Sequence, residues 1–366
     1  MSGNVVFLAA GGTGGHLFPA EALSRALAKR NIAVELVTDE RATKYGAAFP
    51  ARAIHQIAAA TPRGVGLPAR LAAVATLARG TLAALFLLLR SRPKVVVGFG
   101  GYPTVPPLFA ASLIGIPTIL HEANAVMGRA NRFLAGRVNV VAHGFADLAG
   151  VAPAVAAKAR HTGNPVRPAV LAAAERAFPD TAGGLLRLLV TGGSQGARVM
   201  SDIVPAAVAL LSQEERARLV IVQQARGEDE ARVGKAYADL GLVAEIRPFF
   251  QDLPERIAAA HLVIARAGAS TVAELAVIGR PAILVPLPHA LDQDQAANAG
   301  VLAATGAAIA VAQKDFTPAW LAAKLREALA APQDLQRRAA LARAAGIADA
   351  AEKLADLVQG FVAAKP

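Results

Sequence analysis

A strand-like run that empties into clustered glycines and then a helix occurs twice in this chain, about half a chain apart. The first instance reads VVFLAA followed by GGTGGH at Gly11–His16; the second reads LLRLLVT followed by GGSQGA at Gly192–Ala197. Such a device joins a buried parallel strand to its crossover helix, and parallel strands need both faces covered by helices. The surrounding sequence keeps that rhythm. Val5–Ala9, Val34–Thr38, Val95–Gly98, Thr118–Leu120 and Val138–Ala142 read as buried strands, and Pro19–Arg30 and Pro68–Leu89 as helices. The pattern restarts with strand-like Leu185–Thr191, Leu219–Gln223, Leu262–Ala265 and Ala282–Val285 around helices such as Val199–Leu211. The fold class is therefore α/β: two Rossmann-like, doubly wound domains, with a hinge at His161–Pro168 and helical segments Ala319–Ala330 and Ala350–Ala363 at the end. Ligands of such sheets bind beyond the carboxyl ends of the strands, so the site is expected in a cleft between the two domains.

Composition narrows the partners. Of 366 residues, 54% are hydrophobic and 18% charged, enough apolar surface for two cores. With no cysteine, disulfides and thiolate metal sites are excluded. The excess of 38 Lys and Arg over 27 Asp and Glu, a net +11, favours phosphorylated ligands or anionic lipid. Nucleic acid is disfavoured, because aromatic residues are 5% and no nucleic-acid-binding signature is present. The start lacks a basic leader region, so no signal peptide is expected. The most lipid-like run, Leu82 to Leu89, falls short of the roughly 20 residues of a membrane-spanning helix, so a chain that is soluble or bound to a membrane surface is expected.

Glycines in a strand-to-helix turn let backbone approach a ligand, and the helix start offers unpaired N–H groups for a phosphate or diphosphate. The Gly11–His16 spacing matches neither G-x-G-x-x-G nor a P-loop, which disfavours a simple dinucleotide or ATP site. In the second turn, Ser194 serves a phosphate oxygen or, alternatively, caps its helix. A third cluster, Gly98 to Pro103, contains Gly100, Gly101 and Tyr102. A fourth corner, Ala265–Leu275, holds Glu274, which suits a ribose diol but also completes a capping box with Thr271. Local sequence leaves that choice open.

Seven motifs taken together, GGTGGHLFPA, GFGGYPTVPP, HEANAVMGRANR, GNPVR, GGSQGA, ARAGASTVAEL and DQDQAANA, resemble in order and spacing the MurG family of bacterial peptidoglycan N-acetylglucosaminyltransferases. The resemblance runs from about Val5 to Ala299 and more loosely to the end. It implies the GT-B fold, with residues 1–164 as an acceptor- and membrane-side domain, residues 165–346 holding UDP-GlcNAc, and a last helix, about 347–366, packing back on the first domain. The implied reaction moves GlcNAc from UDP-GlcNAc to the C4 hydroxyl of MurNAc in lipid I, giving lipid II and UDP without a metal or other cofactor. Donor contacts carried over by the motifs are Arg167 and Ser194 at the diphosphate, Phe250 against uracil, and Ala269, Ser270, Thr271, Val272, Ala273 and Glu274 along the nucleotide. Gln295 is assigned to the sugar, together with Thr13, Gly14, Gly15 and Asn124; Gly12, Gly100, Gly101 and Tyr102 form acceptor-side loops. The chain departs from the family in having Ala123 where Gln is usual, and in Asp292-Gln293-Asp294 before Gln295. Asp292-x-Asp294 has the look of a metal-binding D-x-D and is read as a solvated loop.

An α-linked donor and β-linked product imply a single inverting displacement. His16 is the expected base, kept neutral at a helix N-terminus, with Glu122 its rival or its orienting partner. A lipid acceptor implies a protein peripheral to the cytoplasmic face of the plasma membrane, near cell-wall synthesis and division proteins. Leu82, Leu85 and Phe86 between Arg79 and Arg90 are the expected membrane patch, unless that helix buries them on the sheet. Rival readings are another GT-B transferase, a UDP-GlcNAc 2-epimerase, a nicotinamide oxidoreductase with Asp39 on the ribose, and a catalytically silent UDP-sugar-binding protein.

Overall fold

The apolar runs form strands because both of their faces are buried: Val6, Phe7, Leu8 and Ala9 are each wholly inaccessible. The computed structural model describes residues 5–12, 14–40, 49–59, 67–148, 150–194, 196–288 and 293–363. By contacts the chain divides into two units, Met1–Arg167 with Ala348–Pro366, and Pro168–Ile347.

The first unit holds a seven-stranded, all-parallel sheet of order β3-β2-β1-β4-β5-β6-β7. Its strands are β1 Val5–Ala9, β2 Ala33–Thr38, β3 Ala53–Gln56, β4 Val95–Gly98, β5 Thr118–Glu122, β6 Val140–His143 and β7 Ala159–His161. Alternation along β1 feeds two cores, Val5, Phe7 and Ala9 on one face and Val6 and Leu8 on the other. Helices α1 (Gly14–Lys29), α2 (Leu67–Ser91), α3 (Val105–Leu113) and α4 (Arg129–Ala135) cover the sheet. Helix α1 begins five residues before the expected Pro19, so the glycine turn and His16 belong to its first turn. Helix α2 is longer than its apolar run suggested. Leu71–Ser91 is long and apolar enough to cross a membrane by length and composition, but it packs along α3 and buries Ala84 and Leu88 in the core.

The second unit repeats the plan with six parallel strands of order β10-β9-β8-β11-β12-β13. These are β8 Leu186–Thr191, β9 Leu219–Gln224, β10 Ala244–Arg247, β11 Leu262–Ala265, β12 Ala282–Leu284 and β13 Ala308–Ala310. Its helices include α5 (Arg198–Ala209), α6 (Gly227–Asp239), α7 (Ala269–Ile278) and α8 (Asp294–Ala304). The chain then returns to the first unit, where α9 (Ala350–Ala363) packs on α1. In each sheet the strand order reverses at the first strand, β1 or β8. The loops after β1 and β4, and those after β8 and β11, therefore diverge where such sheets open a crevice.

Candidate active site

Three loops of the first unit meet at the carboxyl edge of its sheet. The turn after β1 is pinned by Asp39, at the end of β2, whose Oδ1 accepts from the Gly12 N–H at 3.0 Å. Asp39 is buried and holds its own loop, which removes the reading of it as a ribose partner for a nicotinamide cofactor. Gly15 is exposed, and Gly14 sits against the Phe18 ring, over which the Arg167 guanidinium stacks at 4.0 Å. A cation thus stands beside the first turn of α1, where the helix's own N–H groups already favour an anion. Thr13 lies outside the described residues.

The turn after β4 carries Gly100 and Gly101 at φ +85° and +74°, a region L side chains rarely adopt. The Thr104 hydroxyl donates to the Gly100 carbonyl at 2.7 Å, and half-buried Tyr102 lies in the short helical turn that follows. His16 occupies the space these glycines leave: a Cβ on Gly101 would fall 3.1 Å from its Nε2. Burial lowers the His16 pKa, while the Phe99 backbone and the Asp39 charge act the other way. Burial thus favours the neutral ring, in addition to any effect of the helix dipole.

The loop after β5 surrounds the Glu122 carboxylate with hydrogen-bond donors. Its Oε1 accepts from the Asn124 backbone at 2.9 Å and side chain at 3.2 Å; its Oε2 accepts from Gly128 N at 3.0 Å and Asn131 Nδ2 at 2.7 Å. Burial pushes its pKa up and those four donors oppose the shift. With both oxygens committed at 2% exposure, Glu122 organises the loop that carries Asn124, and His16 is not among these partners. Ala123 is buried, and its carbonyl accepts from Asn164 Nδ2 at 2.8 Å, so this position contributes through its backbone.

In the second unit the turn after β8 must be glycine at 192, where a Cβ would meet Ala197 N at 2.2 Å. Gln224 holds the turn, accepting from Thr191 Oγ1 and Gly192 N and donating to the Gly193 and Pro248 carbonyls at 2.9–3.1 Å. Ser194 is exposed and does not cap α5, whose N-cap is Ala197, so its hydroxyl is available to a ligand. Arg226 bends over the same turn, and its charge together with burial lowers the pKa of Arg266, which is tied to the Val285 and Pro286 carbonyls.

The glycosyltransferase family 28 N-terminal domain model matches residues 6–143, and the C-terminal domain model of that family matches residues 187–354. A UDP-N-acetylglucosamine--N-acetylmuramyl-(pentapeptide) pyrophosphoryl-undecaprenol N-acetylglucosamine transferase from Methylobacterium nodulans is 60% identical over 357 residues, covering 97% of this chain and 96% of that one. Its counterpart from Brucella canis is 55% identical over 364 residues, with 99% and 95% covered. The crystal structure of Acinetobacter baumannii MurG superposes with a TM-score of 0.78 at 30% identity, covering 98% of this chain and 99% of that one. The chain belongs to the MurG family.

As a MurG-family chain it has the GT-B fold that its two parallel sheets indicated. The remaining residues carried over from the family pattern fall as follows. Helix α7 starts after Gly268, so Thr271 and Glu274 both lie inside it and form no capping box; Glu274 is buried. Ser270, Thr271 and Ala273 are partly exposed, whereas the Ala269 and Val272 side chains are buried, leaving those two only backbone to offer. Phe250 is also buried, at 6% exposure, with the Arg256 guanidinium over its ring at 4.3 Å. The exposed ring of that segment is Phe249, at 53%, which sequence reading passed over. Gln295 is in the first turn of α8, its Oε1 accepting from Leu287 N at 3.0 Å. Asp294 Oδ1 accepts from the Gln295 N–H, Asp292 lies outside the described residues, and no metal-holding group of His, Cys, Asp or Glu occurs among those described.

Proposed function

We propose that this chain moves GlcNAc from UDP-GlcNAc to the C4 hydroxyl of MurNAc in an undecaprenyl-diphosphate-linked acceptor, lipid I, forming lipid II and UDP. The observation that carries the reading is near-full-length likeness to transferases whose name states that chemistry. The second unit takes the donor: Ser194 and the backbone of the glycine turn serve the diphosphate, Glu274 the ribose, and Gln295 the sugar. Phe249 replaces Phe250 as the ring that meets uracil, because a buried ring has no face to offer a base. In the first unit, Arg167, Gly14, Gly15 and Asn124 are further candidates for donor contact, and Gly12, Gly100, Gly101 and Tyr102 for the acceptor.

His16 removes the proton from the C4 hydroxyl as C1 of GlcNAc inverts, and the leaving diphosphate is stabilised by Arg167 and helix N–H groups. A base with a lowered pKa stays neutral below the usual histidine range. The acid limb of kcat is therefore expected below the unperturbed value of about 6.5. His16→Ala is expected to cost about 10²–10⁴-fold in kcat.

The enzyme works at the cytoplasmic face of the plasma membrane as a peripheral protein. On α2, Leu82 and Phe86 are 67% and 70% exposed, with exposed Leu89 one turn on, whereas Leu85 turns partly into the core. Exposed Arg79, Arg90 and Arg92 supply charge for anionic headgroups.

Incubation with labelled UDP-GlcNAc in EDTA, with and without a short-chain lipid I analogue, tests the proposal. Label passing to lipid only when acceptor is present is the expected result. Donor bound but not transferred would overturn the acceptor assignment, and transfer abolished by EDTA would overturn the metal-free mechanism.

A further inference from the structure

The Asn131 amide is 4% exposed. Its Nδ2 donates to Glu122 Oε2 at 2.7 Å and to the His121 carbonyl at 3.3 Å. Both partners are acceptors, so the amide cannot be turned over and its nitrogen must face them. Oδ1 then points the other way, where it is buried and receives no hydrogen bond. A Cβ placed on Gly100 would lie 3.2 Å from Asn131 Nδ2, 3.3 Å from its Oδ1 and 3.5 Å from His16 Cε1, so the amide and the imidazole border the same small space. His16 Nδ1 is likewise buried without a hydrogen-bond partner. A buried acceptor lacking a donor thus stands beside a ring nitrogen able to carry a proton, and buried polar groups of this kind are satisfied directly or through ordered water.

We propose that Asn131 is a positioning residue for His16: its Oδ1 accepts, through one bridging water, a hydrogen bond from His16 Nδ1–H. That fixes the tautomer whose Nε2 lone pair faces Gly101 and the acceptor hydroxyl. The inference rests on His16 being the base, and it gives Glu122 its place in the reaction, as the anchor that orients Asn131. The other groups around the ring are the Phe99 carbonyl, Asp39, and His121. Asp39 and the Phe99 carbonyl favour protonation of His16, whereas His121, neutral with its pKa lowered to about 4, supplies no charge near neutral pH.

The test is imidazole ¹H–¹⁵N NMR of the whole protein labelled at histidine, with His16 assigned by loss of its signals in His16→Gln. The wild type is expected to carry its neutral-state proton on Nδ1. Asn131→Leu is expected to mix the tautomers, move the acid limb of kcat and lower kcat about tenfold, with KM for UDP-GlcNAc within about twofold. Asn131→Ser, which keeps an oxygen, should restore part of the Nδ1–H population. A wild-type proton on Nε2 would overturn the proposal without any variant. An Asn131→Leu protein that binds UDP-GlcNAc with tautomer and acid limb unchanged would overturn it too, leaving Phe99 to set the ring. Should His16→Ala keep its kcat, the base reading falls, and the tautomer measurement still decides what Asn131 does.

Discussion

Single residues of this chain are tuned mainly by burial, and His121 is the clearest case. It is wholly inaccessible, its Nε2 lies 3.2 Å from the Gly163 carbonyl, and its pKa is lowered to about 4. Unfolded, the same ring titrates near 6.5, so between about pH 6.5 and 4 the unfolded chain binds the extra proton and folding weakens as pH falls. This one residue is expected to remove up to about 1.4 kcal/mol of stability per pH unit across that window, and none above it. Urea unfolding at a series of pH values checks this, with His121→Phe expected to flatten the slope. An unchanged slope would assign the acid sensitivity to other groups. Site residues differ in how far sequence alone could read them. The glycine turns and His16 were legible because turn chemistry is local. Glu122's commitment to four donors was not, since two of them, on Gly128 and Asn131, lie six and nine residues along a folded loop. The choice between Phe249 and Phe250 was invisible for a simpler reason: both lie in the irregular segment after β10, where no periodicity tells which ring is outside.

At the scale of elements, sequence reading succeeded where burial is two-sided and failed where it is not. The strands it missed, β3, β7, β10 and β13, are the four edges of the two sheets. AIHQ, with burial that alternates partly buried and exposed, and ARH at the other edge carry too little apolar signal to stand out. Helix α2 shows the opposite effect, apolar beyond what its packing uses. Leu71, Val74, Leu82, Phe86 and Leu89 are 54–70% exposed, and exposed Leu113 and Phe133 stand on α3 and α4. The Arg137 guanidinium lies over both Phe109 and Phe133, at 5.5 and 5.2 Å, joining charge to the apolar surface. Because Leu82 and Phe86 make little of the core, Leu82→Ser with Phe86→Ser is expected to change stability by no more than about 1 kcal/mol. Partition onto anionic vesicles should fall about tenfold or more, each large side chain contributing roughly 1.5–3 kcal/mol when fully buried. Transfer to a short-chain acceptor in solution should be unaffected. Undiminished vesicle binding would move the membrane contact elsewhere.

Across the whole molecule, the chain ends in the unit where it began, and the question is what holds α9 there. Two kinds of contact compete. Arg30 bonds Glu352 at 2.8 Å, Asp356 at 2.7 Å and Gln359 at 2.8 Å, a network at the surface. Beneath it, Leu354, Ala355 and Val358 are wholly buried in the same core as Val6, Leu8 and Leu23. Exposed ion pairs are worth about 0–1 kcal/mol because water and salt screen them. Removing a buried leucine side chain costs about 2–5 kcal/mol, since both transfer energy and a cavity are lost. Burial should therefore dominate. Leu354→Ala is expected to lower the melting transition of the first unit by roughly twice or more the effect of Arg30→Ala. Raising salt should erase part of the Arg30→Ala difference and leave the Leu354→Ala difference intact. Scanning calorimetry of both variants at low and high salt makes the comparison. Equal losses at low salt, with both differences collapsing at high salt, would mean that charge rather than apolar burial recruits the last helix to the first unit.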